Sequence, residues 1–383
     1  MENTKPIIAI SSGDINGIGY EIMLKGIADP HICEICTPVI YGNLSIAKEH
    51  LKTMDEDLHN MQFTVIQSAK DVRQGKINII NVYPDNTPLS IGKSTPEAGK
   101  ASFLALSRAC EDLKAGLVNA LVTAPINKEN IQSDSFRFSG HTEYLTKMFG
   151  NGGESLMMMV SAQMRIALVC NHVPISKVSE FITEDRIVRK LHTLEDSLLK
   201  DFQIRKPRIA VLALNPHAGD NGLIGKEEQD IIKPAIQKAY DEGIMAFGPY
   251  SADGFFGSGK YAHFDAILAM YHDQGLIPFK SLDMDGVNYT AGLNIIRTSP
   301  DHGTAYDLAG KNIASSQSFS HALYMAIDLL RTRQISAEIS QDPLPFKEKE
   351  DKPGKPLPFK GLDFLNKPPQ GAPSEGRDNV NIE

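Results

Sequence analysis

The chain has no tryptophan and only four cysteines in 383 residues. No stretch approaches the ~20 consecutive apolar residues that a membrane-crossing helix needs. So few cysteines cannot form a disulfide framework, and a reducing cytoplasm is the expected compartment. Cys33 and Cys36 form a single CxxC beside His31. With no second ligand pair to match it, it reads as loop or buried thiols rather than as a zinc or redox pair. Positive charge is also in deficit: 39 Lys and Arg against 47 Asp and Glu leave a net charge of -8, with a pI near 5.8. That balance excludes a general binder of nucleic acid or anionic membrane, both of which select basic faces. An anionic ligand must be met locally. The first residues run straight into the strand-like stretch 7–10, leaving no room for a charged and then apolar leader.

What is present suits an α/β enzyme. Apolar residues make up 42% of the chain, and the length favours about two domains. Short β-branched runs at 7–10, 117–123, 166–170, 208–214 and 265–270 alternate with helical patterns. Each run is almost continuously apolar, which predicts central strands of a mostly parallel sheet covered on both faces. Ser94 or Thr95 caps a helix predicted from Pro96 through Leu113, and Gly116 ends it. Beyond Gln341 the composition changes: eight of the 22 prolines fall in the last 43 residues, and the pentapeptide at 343–347 recurs at 356–360. Residues 341–383 therefore read as a Pro-rich extended tail.

Open α/β sheets bind ligands beyond the carboxyl ends of their strands, so the polar segments that follow each run carry the chemistry. Those segments are 11–14, 124–128, 171–172, 215–217 and 271–273, and the last three deliver His172, His217 and His272. Among eleven histidines, these three share a placement one to three residues past a predicted strand. Three imidazoles suit a catalytic divalent ion such as zinc or cobalt and leave coordination positions for a substrate. Asp273 is placed to orient an imidazole or to act as an acid/base. Pro216 stiffens the turn that presents His217.

Three further segments suit anions. Residues 139–143 read as a loop opening a helix, where backbone N–H groups meet a phosphate or carboxylate. Lys280, Asn288 and Arg297 fall in a glycine-dense segment and together suit a phosphomonoester and a carboxylate. The glycine-bracketed loop 301–311 suits an adenosine ribose and phosphate. The turn 13–19 after the first strand is not a GxGxxG match, so no Rossmann fingerprint is inferred.

Taken in order, segments 13–22, 123–128, 139–143, 215–222, 270–280 and 286–309 resemble the 4-hydroxythreonine-4-phosphate dehydrogenases of pyridoxal phosphate biosynthesis, over about residues 5–332. The resemblance implies an isocitrate/isopropylmalate dehydrogenase-like fold of two α/β/α lobes around a cleft. One lobe takes 1–140 plus about 290–340, and the other takes 141–289. It implies a homodimer with the metal site at the interface. It also implies NAD- or NADP-linked oxidation of 4-phosphooxy-L-threonine at C3 to 2-amino-3-oxo-4-phosphooxybutanoate, which decarboxylates to 3-amino-2-oxopropyl phosphate. Carried over residue by residue, the divalent ion (zinc, cobalt, manganese or magnesium) falls to His172, His217 and His272. The substrate falls to His141, Thr142, Lys280, Asn288 and Arg297. Asp301, Gly303, Thr304 and Asp307 lie on the segment similar to the adenosine side, and Asp273, Asp253 or a bound water stand as the base. The chain departs from the usual family pattern at Ile15, Asn16 and Tyr20, and the segment between Lys280 and Asn288 is slightly shorter. The alternatives are a sister dehydrogenase acting on erythronate or threonate 4-phosphate, a three-histidine hydrolase or lyase, and a metal-dependent binding protein.

Overall fold

The structure is a computed structural model that describes residues 5–150 and 153–341. The proline-rich tail that follows Gln341 lies outside the described residues. Twelve strands are present among those described: β1 (Ile7–Ser11), β2 (Thr37–Gly42), β3 (Thr64–Ile66), β4 (Asn78–Asn81), β5 (Ala120–Thr123), β6 (Leu156–Val160), β7 (Arg165–Leu168), β8 (Ile209–Leu212), β9 (Ala246–Tyr250), β10 (Ala266–Ala269), β11 (Val287–Ala291) and β12 (Arg297–Pro300). They form one sheet in the order β3-β4-β2-β1-β5-β12-β11-β6-β7-β10-β8-β9. The five apolar runs all become strands, and β2, β5, β8 and β10 are buried along their whole length, as helices on both faces require. The helix Pro96–Lys114 starts where its signals place it, with the Thr95 hydroxyl accepting the Ala98 N–H.

The first six strands in that order are mutually parallel, and so are the last four. Between them, β12–β11, β11–β6 and β6–β7 are antiparallel. An odd number of reversals makes the two parallel sets point in opposite directions. The set built on β1–β5 and β12 draws on the first and last parts of the described chain. β6–β10 and β11 come from its middle. Where the direction reverses, one face of β5, β12, β11 and β6 becomes a floor, and segments following strands of both sets close over it.

Candidate active site

The floor presents Thr123, Arg297, Asn288 and Met157 to a cavity of about 280 Å³, and the walls include Lys128, His141, Thr142, His172, His272 and Lys280. This is the size of a small ligand, at the lower edge of the usual range for such sites. Arg297 is 2% exposed, and its guanidinium donates to Thr123 Oγ1 (2.7 Å from Nη2) and Thr290 Oγ1 (3.2 Å from Nη1). Burial pulls its pKa down to about 10, against the pull of the Glu143 charge, so it remains a cation at neutral pH. Hydroxyls satisfy its hydrogens but not its charge. A cation held in this way is unfavourable until an anion arrives, which makes the site a receptor rather than a stabilising feature. Lys280, by contrast, has a counter-ion in Asp301, with Nζ 3.2 Å from Oδ2. That pairing draws Asp301 to the substrate side, although burial also raises its pKa.

Four buried polar atoms on residues lining the cavity have no partner in the protein: His141 Nε2, Glu143 Oε2, Asn288 Oδ1 and His302 Nε2. Buried polar atoms in folded proteins are almost always paired, so a group of orphans around one cavity marks where a polar ligand sits. His141 and Thr142 open the helix His141–Phe149 behind Gly140, as expected for an anion-facing helix start. Burial, reinforced by the positive charges of Arg297 and Lys128, holds the His141 pKa well below 6.5, so the ring is neutral.

β7, β10 and β8 are adjacent and parallel, so the segments carrying His172, His272 and His217 leave the same edge of the sheet. Two of the three rings meet in the cavity: His172 and His272 lie 6.1 Å apart, centroid to centroid. His272 Nδ1 is 2.7 Å from Asp273 Oδ1, which fixes the proton on that nitrogen and leaves Nε2 as a lone-pair donor. His172 is set similarly, with Nδ1 3.6 Å from Glu143 Oε1 and Nε2 accepting from Lys128 Nζ at 3.3 Å. The His172 contact in turn holds the Glu143 carboxyl below its usual pKa.

His217 lies apart from this pair. Pro216 leads into a left-handed turn in which His217, Ala218, Gly219, Asp220 and Asn221 all have positive φ, from 42° to 77°. Four of these are not glycine; Asp220 and Asn221 are types that tolerate this region, whereas at Ala218 it costs roughly 1–2 kcal/mol. Buried Glu228 holds the base of the turn by accepting the N–H groups of Leu214 and Asn215 at 2.8 and 2.7 Å. A Cβ on Gly219 would stand 2.5 Å from Glu228 Oε2, so glycine is required there. The turn carries His217 into a neighbouring hollow with Asp253, Asp273 and Ile277. Ser251 and the Gly254 N–H lower the Asp253 pKa by hydrogen bonding, which makes it a weak base. Among the described residues, no three metal-binding side chains converge within one chain. The two cavity imidazoles fit an ion as a pair, with both Nε2 atoms free of a ring proton. The third expected ligand stands next door.

In the loop expected on the adenosine side, Gly303 lines the cavity, whereas Thr304 and Asp307 stand outside its lining. The loop is fastened to the first βα turn: Ile18 N–H donates to Thr304 O at 3.0 Å, and Tyr306 Oη donates to Asp14 Oδ2 at 2.8 Å. The residues in which the chain departs from the pattern it resembles brace the same region. Asn16 bonds Ser90 N, Lys93 O and Thr95 Oγ1. The Tyr20 hydroxyl accepts from Asn43 N–H and meets Tyr83 Oη at 2.5 Å. Ile15 is fully buried. Sequence reading missed Lys128, Glu143, Tyr306 and Glu228. Lys128 and Glu143 lay inside segments already marked by a strand end and a helix start, but nothing local announced their convergence on His172.

The profile of the family described as "Pyridoxal phosphate biosynthetic protein PdxA" matches residues 34–326. The chain is 50% identical over 345 residues to a 4-hydroxythreonine-4-phosphate dehydrogenase of Bacteroides thetaiotaomicron, covering 90% of this chain and 94% of that one. It is 39% identical to an Oceanobacillus iheyensis protein provisionally named a D-threonate 4-phosphate dehydrogenase, covering 86% and 99%. The crystal structure of the 4-hydroxythreonine-4-phosphate dehydrogenase of Klebsiella pneumoniae superposes with a TM-score of 0.73 at 31% identity, covering 86% of this chain and 99% of that one.

Proposed function

The chain belongs to the family of the pyridoxal phosphate biosynthetic protein PdxA, and from that premise we propose that it oxidises 4-phosphooxy-L-threonine at C3 with NAD or NADP, giving 2-amino-3-oxo-4-phosphooxybutanoate and, after loss of carbon dioxide, 3-amino-2-oxopropyl phosphate. The observation that carries this reading is the buried Arg297 cation, hydrogen-bonded only to hydroxyls and set among orphaned polar atoms beside two neighbouring imidazoles. A phosphomonoester brings close to two negative charges and several acceptor oxygens, which satisfies that pole. Arg297, Lys280 and Asn288 bind the phosphate, and neutral His141 donates to it without adding charge. Thr142 contributes the helix start. Asp273 holds His272 in the tautomer that offers Nε2 to the cavity.

When bound, a divalent ion on these histidines supplies Lewis acidity to the C3 hydroxyl and to the oxygen that carries charge during decarboxylation, and the nicotinamide accepts the hydride. Zinc or cobalt suits imidazole better than manganese or magnesium does. Asp273, Asp253 or a bound water would take the hydroxyl proton; both carboxylates line the hollow with His217, and the lowered pKa of Asp253 makes it a weaker base. Asp301 and Gly303 line the cavity, and together with Thr304 and Asp307 they would hold the cofactor. The missing third ligand is supplied by a second copy. Leu223, Ile277 and Met284 are 82%, 64% and 73% exposed, and Ile277 lines the same hollow as His217. Large exposed apolar residues beside an incomplete site suit a homodimer whose partner brings His217 to His172 and His272. Among the described residues no helix is long and apolar enough to cross a membrane.

A second reading, oxidation of threonate 4-phosphate, is favoured by the name of the Oceanobacillus relative. The test is NADH or NADPH formation after chelation and stepwise return of zinc, cobalt, manganese or magnesium, with both substrates in parallel. Faster turnover of 4-phosphooxy-L-threonine supports the first reading. Preference for the substrate without the amine establishes the second, and metal-dependent phosphate release without reduction of the nicotinamide refutes both.

A further inference from the structure

Three cations border the cavity, and their partners differ. Lys280 has Asp301, and Arg297 has only hydroxyls. Lys128 Nζ has only the His172 Nε2 lone pair at 3.3 Å, with no carboxylate within ion-pair distance among the described residues. On the other side of the same ring, 3.6 Å from Nδ1, is Glu143, whose second oxygen, Oε2, is buried without a partner. A free ammonium and a half-free carboxylate thus flank one imidazole. Neither is assigned to the phosphate: Glu143 would repel it, and Lys128 lies on the loop after β5 rather than on the segment that carries Lys280 and Asn288.

We propose that Lys128 and Glu143 together form the receptor for the α-amino acid end of the substrate, Lys128 taking the carboxylate and Glu143 the ammonium. The proposal rests on the functional reading above and deepens it. In a four-carbon acid phosphorylated at C4, the phosphate and the C1 carboxylate lie on opposite sides of C3. With the phosphate at Arg297 and C3 opposite His172 and His272, C1 and C2 would be left to the groups that flank His172. Those groups are Lys128, on Nε2, and Glu143, on the side of Nδ1. Their opposite charges match a zwitterion. A hydroxy acid phosphate would leave Glu143 Oε2 buried and unmatched, which is how such a site rejects an analogue that lacks a donor. The bond from Lys128 to a neutral ring nitrogen is exchanged for a charge-assisted one, so a flexible lysine stem is suited to the task.

The test uses three ligands that lack the C3 hydroxyl and cannot turn over: O-phosphohomoserine, 3-aminopropyl phosphate, which lacks the carboxylate, and 4-phosphooxybutanoate, which lacks the amine. Their affinities are measured calorimetrically on the full chain and on Lys128→Met, Lys128→Arg and Glu143→Gln. The unmodified protein is expected to bind O-phosphohomoserine roughly tenfold or more tightly than either truncated ligand, the size of one charge-assisted bond. Lys128→Met should erase the advantage over 3-aminopropyl phosphate while leaving that ligand's own affinity unchanged, and Lys128→Arg should restore part of it. Glu143→Gln should erase the advantage over 4-phosphooxybutanoate. Equal affinity of the unmodified protein for all three, or uniform weakening of all three by either variant, overturns the proposal and leaves the phosphate pole standing. Failure of the unmodified protein to bind any of them refutes the functional reading and this proposal with it.

Discussion

Tyr306 Oη donates a 2.8 Å hydrogen bond to Oδ2 of fully buried Asp14, joining the first βα turn to a loop 292 positions later. Asn130 Nδ2 donates to the same oxygen at 2.8 Å, and the Asn16 N–H donates to Oδ1 at 2.9 Å. The carboxylate thus anchors the loop after β12 and the loop after β5, which carries Lys128.

Tyr306→Phe removes one donor from that buried carboxylate and leaves the ring in place. The expected loss of stability is about 1–2 kcal/mol, read from urea unfolding. The freed loop should also bind NADH or NADPH more weakly by fluorescence titration, while affinity for 3-aminopropyl phosphate stays unchanged. A variant with the parent unfolding midpoint and cofactor affinity would show that Asp14 does not position this loop.

Arg297→Met separates stability from function. The side chain it replaces is a buried cation held by hydroxyls alone, and methionine fills a similar volume with no charge to desolvate. Replacing buried charge by apolar packing commonly stabilises by about 1–4 kcal/mol, so the variant should melt higher in the absence of ligand. It should bind 3-aminopropyl phosphate too weakly to measure. A lower melting temperature would mean that Arg297 is a structural brace rather than a receptor.

Acid sensitivity should begin with histidines rather than carboxylates. His50 is buried, stacks on Tyr20 at 5.1 Å and points Nε2 at Ile15 O, 2.8 Å away. Burial lowers its pKa, as it does that of His141. Both rings therefore take up a proton more readily in the unfolded chain than in the folded one. The stability they allow is full above the unfolded value of about 6.5 and is lost as pH falls below it toward the depressed folded values. Each contributes a slope of at most about 1.4 kcal/mol per pH unit in that window. Chemical denaturation at pH 7.5, 6.5 and 5.5 should show the fall, and His50→Gln, which keeps a donor for Ile15 O, should flatten it. An unchanged slope in His50→Gln would assign the effect elsewhere.

The parts of this architecture legible in the sequence are those that local pattern controls. The apolar runs gave β1, β5, β7, β8 and β10, and Thr95 with Pro96 marked the start of the long helix, because burial on both faces and capping leave local signatures. The reversal through β11 and β6 left none: Leu156–Val160 is as uniformly apolar as a parallel strand, and only pairing with distant Val287–Ala291 sets its direction. The left-handed turn at His217 was legible only as a glycine-bounded turn. Asp220 and Asn221 tolerate positive φ but Ala218 disfavours it, and Glu228 binds the base of the turn from the next element. The substrate-facing set was legible by resemblance, but the Lys128–His172 contact spans 44 positions and belongs to the tertiary structure alone.

His217 supplies the most decisive test, because its place outside the cavity of its own chain makes a definite claim about which chain completes which site. His217→Ala and His172→Ala each remove one expected ligand, and each homodimer should be inactive. If His217 acts across the interface, a mixed dimer of the two variants has one site with both ligands missing and one site with all three present. Random re-association makes half the dimers mixed, so activity should return to about a quarter of the unmodified level, with about half a cobalt or zinc ion per dimer. If each chain built its own site, every site in the mixture would lack one histidine and no activity would return. Dilution adds an independent check, since activity should fall with the dimer fraction seen by sedimentation. An active monomer, or a mixture that stays inactive while mixed dimers form, would place all three ligands in one chain and require the His217 turn to swing into the cavity.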